Sequence, residues 1–528
     1  MYSFSDVDPS DVLKLINKLP NKSSPRDVLP TSLLKSCADV FSPIIANLAN
    51  IFFRSGEFPS IYKTAQVLPL IKKPGLDQSV PANYRPISNL HTVSKIIERL
   101  VLVRLKPHLL ATGNFNPLQS AYRSGHSTET ALQRILDSFY KAIDGKKLTV
   151  LISLDISAAF DTINHSKLLS RLRNEFGVTD IALNWLKSYI EDRHQFVKLG
   201  RHSSATVCCT SGVPQGSVLG PLIFAAYVSP IGEVISSHGV DHHQYADDTQ
   251  LFLAMCTSTI RSNLSTLEIC SQAVKHWFAD NDLLLNADKS EAMLVGSSSQ
   301  LKAASNVNTV SVAGVSLPVS VEIKSLGVVI DNKLTFDTHV RAICKACNYH
   351  TWALHHIRHY LPLPVAQTLA CSIVGSRLDY CNSVLYGAPK SSIAKLQRVQ
   401  NMLARVVLNK PRRTHSTELL QSLHWLPVKE RIDFKVALLT YKVRYSSTPD
   451  YLFNLLSDRV INSSLTLRSS SKHVLYVPRS RTVCGARAFS IAAPTVWNKL
   501  PADVQISTSV ACFKSRLKTF LFRTVYNC

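Results

Sequence analysis

Apolar residues recur at helical spacing through the first part of the 528-residue chain. Asp8-Pro9 is a helix-start signal, and Val12 and Ile16 follow it on one face. This pattern predicts a helical N-terminal extension over residues 1–60. A different pattern follows from residue 61, where Val67 to Pro74 has the form of a strand and a turn.

The pattern changes again at residue 151. From 151 to 330, strand-like apolar runs alternate with helical stretches such as Leu264–Phe278. From 331 to 450 a period near 3.6 residues dominates, which predicts a helical region. Residues 451–528 contain a stretch rich in Ser, Thr and Arg, from about 456 to 485, and are predicted to form a basic C-terminal region. The chain is therefore expected to be an α+β protein with a mainly helical C-terminal region.

Two acidic features interrupt the strand-like runs. Asp155 lies in an apolar stretch, Leu151 to Asp161, where a lone charge is costly unless something compensates it. Tyr245-Ala246-Asp247-Asp248 lies between two apolar runs that have the pattern of the arms of a β-hairpin. An adjacent pair of acids on a turn usually faces solvent and has no specific function. The third acid, Asp155 on a strand, favours a shared site instead.

A strand carboxylate beside a hairpin that carries two more is an arrangement that holds two divalent cations for nucleotidyl transfer. Mg²⁺ is a hard cation that prefers oxygen ligands, which carboxylates supply. The residues alone therefore favour the palm of a nucleic-acid polymerase, with Asp155, Asp247 and Asp248 as the candidate catalytic residues.

Composition agrees with a polyanionic partner. The formal net charge is +23 and the pI is near 9.5, which suits a phosphate backbone, although a cationic protein on a membrane surface would fit the charge as well. No apolar run is long enough to span a membrane, and residues 1–8 lack the pattern of a signal peptide. The twelve cysteines have no regular spacing, which favours a reducing compartment. A soluble intracellular protein is expected.

Seven short blocks occur in a fixed order along the chain: Asn83–Ser88, Gln119–Thr128, Leu154–Asp161, Gly212–Ser217, Tyr245–Asp248, Asn286–Glu291 and Ser325–Val328. This order of motifs resembles the reverse transcriptases of non-LTR (LINE-type) retrotransposons. Through Ser376–Asn382, Leu423–Pro427 and Ala488–Asn498, the tail resembles the CR1/L2 group of these elements.

The resemblance implies a right-hand polymerase fold. Residues 61–150 would be the fingers and residues 151–330 a palm with an antiparallel sheet, so that the reverse transcriptase domain covers about 55–330. Residues 331–450 would be a helical thumb. The implied activity is RNA-directed DNA synthesis with two Mg²⁺ ions, or Mn²⁺, from an RNA template, a DNA primer or target and deoxynucleoside triphosphates.

The resemblance also assigns roles at the metal site. Asp155 and Asp247 would bridge both ions, Asp248 would support the site, and the backbone carbonyl of Ile156 would be a further metal ligand. Ser325–Val328 resembles the hairpin that grips the primer.

The expected substrate-binding residues are more open to alternatives. Phe160 would exclude a ribose 2′-hydroxyl, or else is a core residue. Gln215 and Gly216 would approach the nucleotide, or else form a plain turn. The remaining three are basic. Arg85 and Arg123 would bind the triphosphate, or else are exposed residues without a function. Lys289 would act as a general acid toward pyrophosphate, or else is a solvated lysine in a turn.

Elements of this group normally carry an endonuclease ahead of the polymerase, and no nuclease motif precedes residue 60. The expectation is a fragment of a longer reading frame or a copy that begins at an internal methionine. A palm polymerase of another kind, such as an RNA-templated RNA polymerase, would need a small or polar residue in place of Phe160. A catalytically silent nucleic-acid-binding relic is the alternative function. By analogy, the protein would be found in the cytoplasm and the nucleus.

Overall fold

The computed structural model describes residues 1–157, 159–459 and 474–527. Its N-terminal part is helical, as predicted, with α1 over Pro9–Asn17, α2 over Thr31–Ser36 and α3 over Ala38–Ser55. The Asp8 carboxylate caps α1 by accepting a hydrogen bond from the Ser10 backbone N–H at 2.8 Å. Val12 and Ile16 are buried on the face that the spacing predicts.

The next part of the chain forms a hairpin and two long helices. Strand β1 pairs antiparallel with β2, so that Leu70 lies opposite Arg85. Helix α5 begins at a capping box formed by Ser127 and Thr130 and is buried along most of its length. The elements are β1 Thr64–Ile71, β2 Tyr84–Asn89, α4 Thr92–Ala111 and α5 Thr128–Asp144.

Residues 148–320 supply most of the strands. The helices that alternate with these strands are α6 His165–Asn174, α7 Asp180–Ile190, α8 Gly220–Tyr227, α9 Ile231–Ser237, α10 Ile260–Asp280 and α11 Ser298–Ala303. The strands are β3 Leu148–Ser157, β4 Arg193–Leu199, β5 His202–Ser203, β6 Val207–Cys209, β7 Asp241–Tyr245, β8 Asp248–Met255, β9 Leu284–Val295, β10 Thr309–Val312 and β11 Val315–Ser320.

The larger sheet has the strand order β10-β11-β9-β3-β8-β7, and only the β11–β9 pair is parallel. Alternate side chains of its central strand β3 point to opposite faces of the sheet, and each face is covered by a hydrophobic core. Val150 and Ile152 join the core that includes the N-terminal helices, whereas Leu151 joins the core of the C-terminal helices. A smaller sheet has the order β2-β1-β4-β5, with β6 also paired to β4.

The C-terminal part begins with a short hairpin, β12 Glu322–Ser325 and β13 Val328–Asp331, and is otherwise mainly helical, as predicted. The α+β class is confirmed. Its helices are α12 Asp337–Ile357, α13 Leu363–Leu369, α14 Ser376–Asp379, α15 Lys390–Val407, α16 Ser416–Ser422, α17 Val428–Ser446, α18 Asp450–Phe453, α19 Phe489–Trp497, α20 Ala502–Gln505 and α21 Val510–Tyr526.

The aromatic residues of the tail lie in the core. Trp425, Phe489 and Trp497 are all buried. Part of the Ser-, Thr- and Arg-rich stretch, residues 460–473, lies outside the described residues. Among the described helices, none has the length and apolar character needed to cross a membrane.

Candidate active site

The predicted hairpin is present, and its turn contains one of the acidic residues. Strands β7 and β8 are joined by Ala246 and Asp247, with Tyr245 paired to Asp248. Ala246 has a φ of 59°, in the left-handed region that a residue with a Cβ adopts at a cost. The turn therefore needs support from outside the hairpin.

Gln119 supplies that support. Its side chain is fully buried, and its amide oxygen accepts a hydrogen bond from the Ala246 N–H at 2.9 Å. Its amide nitrogen donates to the Ala246 carbonyl at 3.1 Å. Both backbone groups of the strained residue are thus held by one side chain. The sequence places Gln119 in a recognisable motif but shows no role for it, because its partner is 127 residues away.

The loop around Gln119 is itself held in place. Arg123 donates from its guanidinium to the backbone carbonyls of Pro117 and Gln119, at 3.0 and 3.2 Å. Burial lowers the pKa of Arg123. The structure therefore uses this guanidinium to hold the loop, and its predicted binding of a triphosphate remains a prediction.

A second layer of contacts reaches the hairpin from the C-terminal helices. The Ser120 hydroxyl lies 2.9 Å from His243 Nε2 on β7 and 2.8 Å from the Tyr451 hydroxyl on α18. Tyr451 also donates to Thr130 Oγ1 at 3.0 Å. Burial holds the pKa of His243 well below its usual value, so the imidazole is neutral. Tyr451 is a contributor to this site that sequence reasoning missed.

Asp155 lies on the strand beside the hairpin. Strand β3 pairs with β8 in a register that ends with Leu154 opposite Thr249, so that the next residues of the two strands are Asp155 and Asp248. Side chains of directly opposite residues share a face of the sheet. A bulge between Ser153 and Asp155 interrupts the pairing of β3 with β9. The structure thus brings the strand acid and the hairpin acids together.

The carboxylates influence one another. Burial, followed by the neighbouring Asp247 and Asp155, raises the pKa of Asp248 to about 6, even though Asp248 keeps contact with solvent. Burial also raises the pKa of Asp155, with Asp247 adding to the shift and the ammonium groups of Lys289 and Lys72 opposing it. The group concentrates negative charge that a bound cation would relieve.

These oxygen donors fit divalent cations of the Mg²⁺ type. Within the described ranges, no three His, Cys, Asp or Glu side chains stand close enough to hold a metal ion by themselves. Mg²⁺ is commonly bound through one or two carboxylates together with substrate phosphates and water. The arrangement therefore suits cations that arrive with a nucleotide.

Phe160, Gln215 and Gly216 lie near one another at the side of the site. Phe160 is half-buried and stacks on Phe224 of α8, with 4.9 Å between ring centroids. The Gln215 amide donates to Asp161 at 3.1 Å. Gly216 has a φ of 120°, and a Cβ there would lie 2.8 Å from the Ser88 carbonyl oxygen, so the position requires glycine.

A cavity of about 560 Å³ is lined by the Gln215 turn and by the smaller sheet. Ser88 of β2, Asp161 and Gln215 are among the residues that line it. The Ser88 N–H donates to the Gln215 carbonyl at 2.7 Å, which fixes the turn against the β1–β2 hairpin. The glycine turn is thus joined to the strand that carries Arg85.

The basic residues approach from two sides. Lys289 lies on β9 rather than in a turn and is exposed, and its charge lowers the pKa of Asp155. Arg85 is exposed on β2, and its guanidinium makes no hydrogen bond or ion pair with the described residues. Lys72, which follows β1, also lies within electrostatic reach of Asp155. The chain position of Lys72 after a strand was visible in the sequence, but its nearness to Asp155 was not.

Comparisons with known proteins agree with this geometry. Residues 71–330 match the family described as reverse transcriptase (RNA-dependent DNA polymerase). The probable RNA-directed DNA polymerase from transposon BS of Drosophila melanogaster is 29% identical over 441 residues, which are 80% of this chain and 47% of that protein. The RNA-directed DNA polymerase from mobile element jockey of the same species is 29% identical over 422 residues, or 77% and 44%. The chain spans less than half the length of these relatives.

Among solved structures, apo telomerase from Candida tropicalis aligns with a TM-score of 0.37 and 10% sequence identity, covering 74% of this chain and 69% of that one.

Proposed function

Residues 71–330 of this chain are a reverse transcriptase domain related to those of LINE-type non-LTR transposons, and from this premise we propose that the protein is an RNA-directed DNA polymerase. It would extend a primer 3′-hydroxyl on an RNA template, with deoxynucleoside triphosphates as substrates. The observation that carries the proposal is the strand arrangement that puts Asp155, at the end of the β3–β8 pairing, beside the β7–β8 turn that contains Asp247 and leads into Asp248.

The catalytic step would depend on divalent cations held by Asp155, Asp247 and Asp248, with the Ile156 carbonyl as a further ligand. Bound Mg²⁺ or Mn²⁺ would lower the pKa of the attacking hydroxyl and neutralise the triphosphate. The protein contributes by positioning: Gln119 holds the Ala246–Asp247 turn, so that the carboxylates do not have to reorganise when a nucleotide binds.

The surrounding residues would handle the nucleotide. Arg85 and Lys72 would bind the triphosphate from the β1–β2 hairpin, where an unpaired guanidinium is available for phosphate oxygens. Lys289 would donate a proton to the leaving pyrophosphate. Phe160 would exclude the 2′-hydroxyl, and its stacking on Phe224 would hold the ring in position for that role.

The architecture follows the same proposal. Residues 61–150 would act as fingers, 151–330 as the palm and 331–450 as the thumb, with residues 451–528 bracing the palm through Tyr451. The CR1/L2-like grouping and an intracellular location are part of this proposal.

Primer extension tests it. A DNA primer annealed to an RNA template is incubated with Mg²⁺ and either the wild type or an Asp247→Asn, Asp248→Asn variant. Deoxynucleotides and ribonucleotides are supplied in separate reactions. DNA synthesis by the wild type alone supports the proposal. A folded wild type that binds the template without extending the primer would instead indicate a silent nucleic-acid-binding relic.

A further inference from the structure

The helical region after the β12–β13 hairpin carries a strong excess of positive charge. Residues 338–417 contain eleven Lys and Arg and a single acid, Asp379. That acid is bound by Arg431, whose Nε donates to Asp379 Oδ1 at 2.8 Å. Close to half of the net charge of +23 therefore lies in 80 residues. A surface of this composition attracts a polyanion.

One face of α12 concentrates this charge together with exposed aromatic rings. Arg341, Lys345, Asn348, Trp352 and His356 recur at intervals of three or four residues and so form a single line along the helix. Each of them is exposed, whereas the opposite side of the helix is buried.

The aromatic rings on this face are unusually open to solvent. The exposed fraction is 61% for Trp352, 64% for Tyr349 and 78% for Tyr360. The Trp352 ring rests on His356, with 4.1 Å between centroids, and Tyr360 lies 3.8 Å from His359 by the same measure. These contacts hold the rings without covering them, so they remain available for stacking.

A groove of about 490 Å³ runs between α12 and α15 beside this line. Its lining includes Arg341 and Lys345 from α12 and Lys395 and Arg398 from α15. The nearby acid Asp337 is already paired with Lys395 and Arg341, at 2.5 and 3.2 Å. The groove thus presents cations, while Tyr349 and Trp352 lie further along α12 and Tyr360 lies in the turn that follows the helix.

We propose that this α12–α15 face binds an unpaired stretch of RNA. Lys and Arg would contact the phosphates, and Trp352, Tyr349 and Tyr360 would stack on bases. A duplex hides its base faces, so rings of this kind favour an unpaired strand. The choice of RNA over DNA rests on the proposed function, which supplies a long template that is unpaired away from the primer.

The face is separate from the carboxylate site in its contacts. Among the described residues, no hydrogen bond or ion pair joins the α12–α15 face to Asp155, Asp247 or Asp248. Binding at this face would therefore anchor the RNA without taking part in nucleotide addition.

Fluorescence anisotropy with the full chain, without nucleotides, tests the proposal. The probes are an unstructured RNA of about 20 nucleotides, enough to cross a strand-binding groove, the same RNA in a duplex, and the matching single-stranded DNA. The variants are Tyr349→Ala with Trp352→Ala, and Lys345→Gln with Arg398→Gln. Tyr445→Ala is the matched control, because Tyr445 is also an exposed aromatic residue, with an exposed fraction of 65%, but lies on α17.

The aromatic variant should lose about 10-fold or more in affinity for unpaired RNA, since stacking contributes on the order of 1–3 kcal/mol per base. The charge variant should weaken binding and reduce the slope of log affinity against log salt by about 1.4, which corresponds to two phosphate contacts on a single strand. The control should match the wild type.

Three results would overturn the proposal. They are an unchanged affinity for unpaired RNA in both variants, a loss of affinity for the RNA duplex equal to that for unpaired RNA, and tighter binding of single-stranded DNA than of unpaired RNA. Extension of a short, fully annealed primer–template, with no unpaired overhang beyond the copied bases, separates this proposal from the polymerase proposal. It should proceed at the wild-type rate in the aromatic variant. Loss of RNA binding in a chain that never extends a primer would support the face and reject the polymerase.

Discussion

At the scale of single residues, the acids of the site are held in a state that is unfavourable without a cation. The raised pKa of Asp248, about 6, lies above the value of about 4 expected in an unfolded chain. Between these values the folded state keeps a proton that the unfolded state releases. The free energy of unfolding therefore falls as the pH rises through this window, and the destabilisation by the ionised Asp248 is complete above pH 6.

Asp248→Asn should accordingly stabilise the metal-free protein. Thermal unfolding in EDTA should show a higher midpoint for the variant at pH 7.5, with a smaller difference at pH 5. Asp288→Asn, which changes an exposed carboxylate on β9, is the control and should have little effect. A lower midpoint for Asp248→Asn at pH 7.5 would show that the carboxylate is not under electrostatic stress.

Gln119 is the second residue whose contribution can be measured. Gln119→Ala would leave the Ala246 N–H and carbonyl without partners, and each such buried group costs about 1–3 kcal/mol. We expect kcat for nucleotide addition to fall about 10-fold to 100-fold, as for other residues that orient metal ligands, with a smaller change in the KM for nucleotide.

Gln300→Ala is the matched control for Gln119. Gln300 is also a buried glutamine with two backbone contacts, to Ser297 and Lys147, but it lies on α11, beside the start of β3 and away from Asp155. It should lower stability and leave kcat per folded molecule unchanged. Equal effects of the two variants on kcat would contradict a positioning role for Gln119.

Phe160 tests the proposed selection of deoxynucleotides. Phe160→Val removes ring volume, and small differences in a pocket are worth on the order of 10-fold to 200-fold in discrimination. The ratio of kcat/KM for deoxy- over ribonucleotides should therefore fall by about 10-fold or more. Phe224→Leu, in the stacking partner, should reduce stability with less effect on that ratio. An unchanged ratio in Phe160→Val would leave Phe160 as a core residue only.

At the scale of elements, the C-terminal helices and the β7–β8 hairpin act together. Tyr451 of α18 connects Ser120, which contacts His243 of β7, with Thr130 of α5. The substitution Tyr451→Phe removes only the hydroxyl group of Tyr451 and preserves the packing of the ring.

Tyr451→Phe should lower the free energy of unfolding by about 1–3 kcal/mol, because it leaves a buried hydroxyl partner unsatisfied. It should also lower kcat while leaving the nucleotide KM unchanged. Denaturant titration and steady-state extension measure the two effects. Tyr445→Phe, in an exposed tyrosine of α17, should change neither; a wild-type kcat in Tyr451→Phe would show that the C-terminal helices do not support the hairpin.

Elements were predicted best where the signal is local. The β7–β8 hairpin and helix α10 follow from spacing alone, because a period of 2 or 3.6 residues is contained in the segment itself. The supports of the hairpin were not predictable in this way. Gln119 and Tyr451 act across 127 and more than 200 residues of sequence, and no local pattern records such contacts.

At the scale of the whole molecule, the sequence predicted the acids of the site but not their surroundings. The pairing of β3 with β8 makes Asp155 and Asp248 neighbours, and Asp247 lies in the adjoining turn. The catalytic role of the three acids stays a prediction. Arg123 was predicted to bind substrate, and that stays a prediction; the structure shows that its guanidinium also donates to the loop carbonyls of Pro117 and Gln119. The same basic residue type serves a phosphate or a carbonyl, and only the three-dimensional neighbours distinguish the two.

The most direct test of the account is the Mg²⁺ dependence of single-nucleotide incorporation on a preformed RNA–DNA primer–template. Wild-type protein should show a saturable rate with a dependence steeper than first order at low Mg²⁺, as a site with two ions requires. Asp155→Asn should bind the same primer–template but incorporate at least about 100-fold more slowly, since the lost charge stabilisation is several kcal/mol. Incorporation by Asp155→Asn at the wild-type rate, or none by a wild type that binds the hybrid, would contradict the account.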